Sequence, residues 1–504
     1  MKRSEHVAMI AHDIGVTFNF LGIASLLPFL VLVIFREWNM LLPMVSAPLA
    51  FIVFGHLLSR VHRADLTPTL SSSLVVVALS WFAIALIGAL PFFFALNIPY
   101  TDCVFEAMSG WTGSGFSMLT SLDTTPNTLL FWRSFTQWIG GIGIIAFGIS
   151  LSRKTSATLF QLYRSEGRTE ALMPNVVSTG RRMWQIYLFL TFMFTGMVML
   201  SGIALWDSLN LVMVAIATGG FSIHDAGIMY YNNPMLELLM IPVMLAGALP
   251  FKIYFLLYHG NVKAMFKDKI VQVLIFIAAV GSAITSLDLF IFSNLSLEQA
   301  IRQGVFCAIS GFTTCGLQNS NLHLWASIPI AVVTMMMLIG GAAGSTAGGI
   351  KVNRVMLAYD GVKWWLKRFF VSGRVLVPLR FEGRTFSRHV SDLEISKKMV
   401  VIMLYIITIF LSTIIVSHLY ITTFGLNEVI FEEVSAISNV GLSVGYISAA
   451  SPFSIKWIFI ILMWLGRLEI VPVIILVTGV LKGIQDDMTK QKPAPQVYNL
   501  QERY

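Results

Sequence analysis

Runs of about twenty apolar residues recur along this chain, separated by short polar stretches. A run of that length carries a helix across a hydrocarbon layer of about 30 Å. Such runs lie near residues 18–35, 41–59, 72–96, 128–150, 183–205, 235–258, 270–293, 325–350, 399–420 and 453–481, which predicts about ten full spans. The first follows a 17-residue polar start with no small-residue cleavage site after it, so it reads as a span rather than a removed signal. After the first two, the spans fall into pairs. Each pair encloses a moderately apolar segment too short and too polar to cross.

The four enclosed segments align. Phe105 to Gly115 reads FEAMSGWTGSG, Asn210 to Gly220 reads NLVMVAIATGG, Phe306 to Gly316 reads FCAISGFTTCG, and Phe431 to Gly441 reads FEEVSAISNVG. Ten residues separate the first residue from the last glycine in each, and Phe116, Phe221, Leu317 and Leu442 follow directly. Each copy starts as about two helical turns and passes into small or hydroxyl residues. A repeat at fixed register is the signature of a modular fold. The prediction is an all-α polytopic membrane protein with two N-terminal spans, then four pseudo-symmetric modules of span, pore helix, loop and span around a central axis. The boundaries are 1–65 for the N-terminal hairpin, 66–152 for repeat one, 183–262 for repeat two, 263–350 for repeat three and 399–483 for repeat four. Basic loops occupy 153–182 and 351–398, and a tail occupies 484–504.

Composition agrees: 56% of the residues are hydrophobic and 12% are charged, where soluble domains carry about 25% charged residues. Charge also orients the chain. Residues 153–182 hold six Lys and Arg, and 351–398 hold eleven, whereas 97–132, 206–234 and 421–452 hold none and 294–324 hold only Arg302. The positive-inside rule then places the two basic loops and the termini in the cytoplasm and the four aligned segments outside. Asp102, Glu106, Asp123, Asp207, Asp225, Glu298, Glu428, Glu432 and Glu433 fall on that outer side, as an acidic mouth that would concentrate cations. Cys103, Cys307 and Cys315 read as small core residues.

Irregular backbone at membrane depth is tolerated only inside protein or along a water-filled cavity. A half-helix entering from outside ends near the middle with its carbonyl pole inward, and that pole favours a cation. Beyond it, ring-arranged carbonyls can replace a cation's hydration shell. Gly115, Gly220, Gly316 and Gly441 permit the backbone geometry required. Each stretch therefore reads as one quarter of a cation filter.

The stretches SGWTGSGFS, IATGGFSIHD, SGFTTCGL and SNVGL, together with WRSFTQWIGGIGII (132–145), GGAAGSTAGGIKVNR (340–354) and LGRLEI (465–470), resemble the Trk-type potassium uptake proteins. The match is to the TrkH branch of the TrkH/KtrB/HKT-like superfamily, which carries the additional N-terminal hairpin. The resemblance covers nearly the whole chain. It implies a gated, K+-selective pore in the plasma (inner) membrane, driven by the electrochemical gradient, with a K+ symporter coupled to H+ or Na+ as the alternative. It also implies a homodimer with one pore per subunit and a cytosolic nucleotide-binding ring of the TrkA type. No organic cofactor would reside in this chain. Carried over, the filter residues are Thr112, Gly113, Ser114 and Gly115; Ala217, Thr218, Gly219 and Gly220; Thr313, Thr314, Cys315 and Gly316; and Ser438, Asn439, Val440 and Gly441. Gly113 stands where the family often has threonine, and no copy reads TVGYG.

Three further sites follow. Gly344 to Gly349 has the spacing of a phosphate loop, but Ile350 stands where a Walker lysine is required and no strand precedes it. Instead Gly340, Gly341, Gly344, Gly348 and Gly349 should break the second helix of repeat three. The family places this loop, with Ser345 and Thr346, beneath the filter as a gate. A glycine cluster used only for packing is the alternative. Arg467 lies inside the last span, where a charge is expensive and faces a cavity or a partner; the resemblance puts it in the pore under the filter. A local pair with Glu469 is the other reading, although residues two apart do not share a helix face. Lys351 and Arg354 serve either as cytoplasmic anchors or as contacts for the regulatory ring, and phospholipid headgroups would also suit the 351–398 loop. The histidines are scattered without ligand spacing. No paired carboxylates within a span, no G-x-S-x-G elbow and no chain of ionisable residues apart from Arg467 and Glu469 are present, which argues against an enzyme and against a coupled symporter.

Overall fold

The computed structural model describes residues 3–61, 69–144, 146, 148, 162, 175–293, 295–370, 379–381, 384–386 and 388–482. Most of the 153–182 loop, the 371–378 part of the 351–398 loop and the 484–504 tail lie outside the described residues.

The N-terminal hairpin consists of α1 (Arg3–Ala24), α2 (Pro28–Phe35) and α3 (Leu41–Ser59). The first span therefore begins far earlier than residue 18, with Glu5–Phe35 long and apolar enough to cross. The reason is that its polar positions are covered. His6, Asp13 and Thr17 are all buried. Glycine lets the backbones of α1 and α3 approach: a Cβ on Gly15 would lie 2.4 Å from the Ser59 amide nitrogen.

Each repeat has the predicted order. Repeat one comprises α4 (Leu70–Gly88), α5 (Leu90–Ala95), the pore helix α6 (Tyr100–Thr112) and α7 (Asn127–Ile142). Repeat two comprises α8 (Val176–Met199), the pore helix α9 (Leu205–Ile216), α10 (Pro234–Ala248) and α11 (Phe251–Tyr258), with α12 (Val262–Lys267) leading out. Repeat three comprises α13 (Lys269–Phe292), the pore helix α14 (Leu297–Phe312) and α15 (Ser327–Ile339), followed by α16 (Val352–Phe369). Repeat four comprises α17 (Arg388–Leu419), the pore helix α18 (Leu426–Ile437), α19 (Phe453–Arg467) and α20 (Val471–Lys482). Side-chain caps start several helices: Thr69 accepts from the Ser72 N–H, Asn175 from the Ser178 N–H, and Ser296 forms a capping box with Gln299. Within the basic 351–398 loop, β1 (Leu379–Phe381) and β2 (Arg384–Phe386) form a small antiparallel hairpin, the one departure from an all-α fold among the described residues.

Not every one of the expected spans is a single straight helix. Among the described residues, five stretches are long and apolar enough to cross: Glu5–Phe35, Trp38–Ser59, Leu70–Ala95, Lys269–Phe292 and Asp392–Leu419. The second helix of every repeat is interrupted. In repeat one, α7 stops at Gly143 (φ 93°). In repeat two, α10 and α11 bend by 102° at Pro250, which cannot continue a helix. In repeat three, the chain leaves helix at Gly340 (φ 70°) and resumes at Val352. In repeat four, α19 and α20 bend by 111° after Arg467. The glycine-rich stretch of repeat three is thus one of four breaks, not a singular one.

Candidate functional site

The four pore helices end in the same way. The N–H groups of Gly113, Thr218, Thr314 and Asn439 each donate to the carbonyl three residues back, at Gly110, Ala215, Gly311 and Ala436, over 3.1 Å. The next N–H groups, of Ser114, Gly219, Cys315 and Val440, donate five residues back to Ser109, Val214, Ser310 and Ser435, over 2.8–2.9 Å. This is the Schellman pattern, which requires a left-handed residue after the last helical one. Gly113 meets that need with φ 70°. Thr218, Thr314 and Asn439 meet it with φ 53°, 56° and 53°; asparagine tolerates that region, but it is unusual for the β-branched threonines. Two residues further on, Gly115, Gly220, Gly316 and Gly441 are again at positive φ, between 77° and 92°.

Those four glycines share one centre. A Cβ on Gly115 would lie 2.5 Å from the Gly219 oxygen, and one on Gly220 would lie 2.4 Å from the Cys315 oxygen. A Cβ on Gly316 would lie 1.8 Å from the Val440 oxygen, and one on Gly441 would lie 2.3 Å from the Ser114 oxygen. Each repeat touches the next in chain order and the fourth returns to the first, so the segments close a ring. The oxygens that meet the glycines come from the same position of each copy. Thr112, Ala217, Thr313 and Ser438 end the helices behind the ring and are buried.

Outside the ring is a vestibule of about 260 Å³ whose floor is Gly115, Gly220, Gly316 and Gly441. His224 and Asp225 stand on its wall. The expected acidic mouth is only partly there. Asp102, Glu106, Glu432 and Glu433 are buried, because the pore helices that carry them are packed inside protein. Glu106 pairs with Arg133 (2.7 Å) and accepts from the Ser117 hydroxyl and the Met118 N–H, so it holds the chain just past Gly115. Glu432, at the same register in repeat four, accepts from the Ser443 hydroxyl (2.6 Å) and the Tyr446 N–H (2.9 Å). Cys307 holds that place in repeat three and donates to the Asn319 amide oxygen (3.3 Å). Asp102 pairs with Lys456 (2.6 Å), and Glu433 accepts from Ser412 and Thr413. Asp123 does stay outside, where a hydrogen bond with His224 (2.7 Å) holds its carboxyl below the usual range.

Arg133 and Lys456 are further ionisable residues of the spans beside Arg467 and Glu469, each paired with a carboxylate of pore helix α6. Arg133 also donates to the Ser222 carbonyl and stands over the Phe221 ring, so it joins repeats one and two behind the ring. A lone arginine in the apolar run 128–150 was the available signal. Gln137, four residues on, donates to the Gly219 carbonyl (2.6 Å) and accepts from the Phe221 N–H (3.0 Å).

Beneath the ring is a cavity of about 40 Å³, lined by Trp81, Gly344, Ser345, Gly348, Gly349, Asn439 and Arg467 among others. That is room for a few waters. Residues from Gly344 to Gly349 line it, and the loop that carries them is folded on itself: a Cβ on Gly340 would lie 2.3 Å from the Gly348 oxygen, and one on Gly341 would lie 2.5 Å from the Ala347 side chain. Arg467 does not pair with Glu469. It donates to the Gly140 and Gly141 carbonyls at the broken end of α7 and stands 5.0 Å from the Trp81 ring centroid. Glu469 instead pairs with Lys351 (3.1 Å) and Arg354. Those two cations are mostly buried, with side chains 14% and 12% exposed. They tie the start of α16 to the bend of repeat four, an internal role that neither of their expected readings, anchor or ring contact, included.

A family model described as TrkH, cation transport protein, matches residues 44–483. The chain belongs to the TrkH family. Within it, the chain is similar to an uncharacterized cation transporter of Methanocaldococcus jannaschii, 31% identical over 93% of this chain and 94% of that one. It is 28% identical to the Trk system potassium uptake protein TrkH of Escherichia coli K12, over 80% and 84% of the two chains. Among solved structures, the potassium transporter TrkH from Vibrio parahaemolyticus superposes with a TM-score of 0.82 at 26% identity, covering 94% of this chain and 99% of that one. The all-α, multi-pass membrane architecture of this TrkH-family chain follows from that match.

Proposed function

We propose that the protein takes up K+ through a selective, gated pore. The observation that carries this reading is the closed ring of Ser114, Gly219, Cys315 and Val440 oxygens against Gly441, Gly115, Gly220 and Gly316. Backbone oxygens at one level around an axis can replace the water around a bare monovalent ion, and the pore-helix carbonyl ends favour its charge. The relatives named as potassium uptake proteins support K+ as the cargo. An inside-negative potential supplies about 2.3 kcal/mol per charge per 100 mV, enough for about 50-fold accumulation without chemical coupling. The symporter is disfavoured because Arg133 and Lys456 are each satisfied by one buried carboxylate and do not form a relay.

Filter residues 112–115, 217–220, 313–316 and 438–441 select the ion. The 340–349 loop, whose Gly344–Gly349 part lines the small inner cavity together with Arg467, closes the path. The protein works as a homodimer in the inner membrane, with cytoplasmic termini and a TrkA-type ring on its inner face. Rb+ and Na+ flux into liposomes, with and without the ring and with and without a pH gradient, tests this. Passive Rb+ flux exceeding Na+ flux is expected. A strict requirement for a pH gradient would replace the pore with a symporter.

A further inference from the structure

The loop beneath the ring is bonded to the ring itself. The Gly348 N–H donates to the Thr314 hydroxyl oxygen over 2.8 Å. The Thr346 hydroxyl donates to the Ile216 carbonyl, the last of pore helix α9, and to the Gly247 carbonyl, each over 2.9 Å. The Thr218 hydroxyl lies 3.5 Å from that of Thr346. A Cβ on Gly348 would lie 2.0 Å from the Ser438 carbonyl oxygen, so the loop also abuts repeat four. Three of the four filter segments are thus held from below by one loop. Thr314, Thr346 and Thr218 are all buried, which shields these bonds from bulk water.

Two of the contacts fall on strained positions. Thr218 and Thr314 are β-branched residues in the left-handed region, a conformation that persists only where surroundings enforce it. The carbonyls of Gly219 and Cys315, next in the chain, are ring oxygens. A bond that fixes Thr314 therefore fixes the direction of the Cys315 carbonyl.

We propose that Thr314 and Thr346 are positioning residues that set ion selectivity through the gate loop, so that filter geometry and gate position are coupled. The proposal rests on the reading of 340–349 as the gate. Opening the loop breaks the Gly348–Thr314 bond and frees the strained turn, so discrimination falls as the gate opens. Serine at either position keeps the acceptor or donor oxygen, and valine keeps the shape without it.

The test measures Rb+ and Na+ flux into liposomes for the wild type, Thr314→Val, Thr314→Ser, Thr346→Val, Thr346→Ser and a variant lacking 345–347. Thr314→Val should raise Rb+ flux about tenfold, the shift equivalent to one hydrogen bond of about 1.4 kcal/mol, and should lower the Rb+/Na+ ratio. Thr314→Ser should restore the ratio. Thr346→Val, off the filter, gives the same readout if Thr314→Val does not fold. An unchanged ratio in both valine variants, or equal behaviour of valine and serine, overturns the proposal. If deleting 345–347 raises flux while the valine variants match wild type, the coupling fails and the gate reading stands. If that deletion changes nothing in a folded protein, the gate reading itself fails.

Discussion

Gly316 and Gly113 form a matched pair for testing the ring. Both have positive φ, 83° and 70°, so alanine at either costs about 1 kcal/mol of backbone strain. Their surroundings differ. At Gly113 the nearest atom to a new Cβ would be 3.8 Å away, an ordinary contact. At Gly316 the Val440 oxygen would be 1.8 Å away. The two groups must separate by roughly 1.5 Å, because contacts that short are strongly repulsive. Val440 cannot yield on its own, since its N–H is held by the Ser435 carbonyl (2.9 Å) and its side chain is fully buried. The ring oxygen itself moves. Misplacing a pre-organised group by about 1 Å costs on the order of 100-fold in comparable sites. Gly316→Ala should therefore lose about 100-fold in Rb+ flux or abolish the preference for Rb+ over Na+. Gly113→Ala, with no atom to displace, should lose about the strain energy in thermal stability and much less of the preference than Gly316→Ala. Rb+ and Na+ uptake into liposomes, with a melting curve for each variant, reads both. Equal losses in the two variants, or wild-type selectivity in Gly316→Ala, would refute the ring as the selecting element.

Arg467→Ala removes a cation from the wall of the inner cavity and its bonds to Gly140 and Gly141, and should raise cation flux; equal flux and gating in a transport assay would rule out the barrier. Glu469→Gln leaves Lys351 and Arg354 without their counter-charge in a mostly buried site, and should cost about 3 kcal/mol of stability in a thermal unfolding measurement. Asp123 has a lowered pKa in the folded protein, chiefly through its hydrogen bond with His224. Its contribution is present at neutral pH and above the unfolded value, and is lost as pH falls through the folded one. Hydrogen exchange of the 119–125 loop should therefore accelerate in acid below the ordinary carboxylate range, and His224→Ala should remove that dependence.

The four-module plan was legible because it is written twice, in hydropathy and in the register of the terminal glycines. The Schellman turns were only half legible. Gly113 announces one, but Thr218 and Thr314 occupy a conformation that threonine normally avoids, so composition pointed away from it. Depth was the main gap. Glu106 and Glu432 have the sequence neighbourhood of an outer surface, and only tertiary packing shows them turned back onto the segments after the filter. Lys351 and Arg354 likewise read as cytoplasmic charges, because their partner Glu469 lies more than a hundred residues away. The break in repeat three was visible in five glycines. The others rest on single residues, Gly143 and Pro250, or on the Leu468–Ile470 stretch, where Glu469 and Ile470 take positive φ without any glycine.

All four quarters of the ring come from one polypeptide and no two of them are alike. In a channel assembled from four identical subunits, every change in the filter arrives fourfold and the axis stays symmetric. Here a change at Thr314 or Asn439 is felt once. Evolution can therefore adjust ion preference in small increments, one quadrant at a time, while the other three keep the conduit intact, and no mixing of mutant and normal subunits can spoil a single pore.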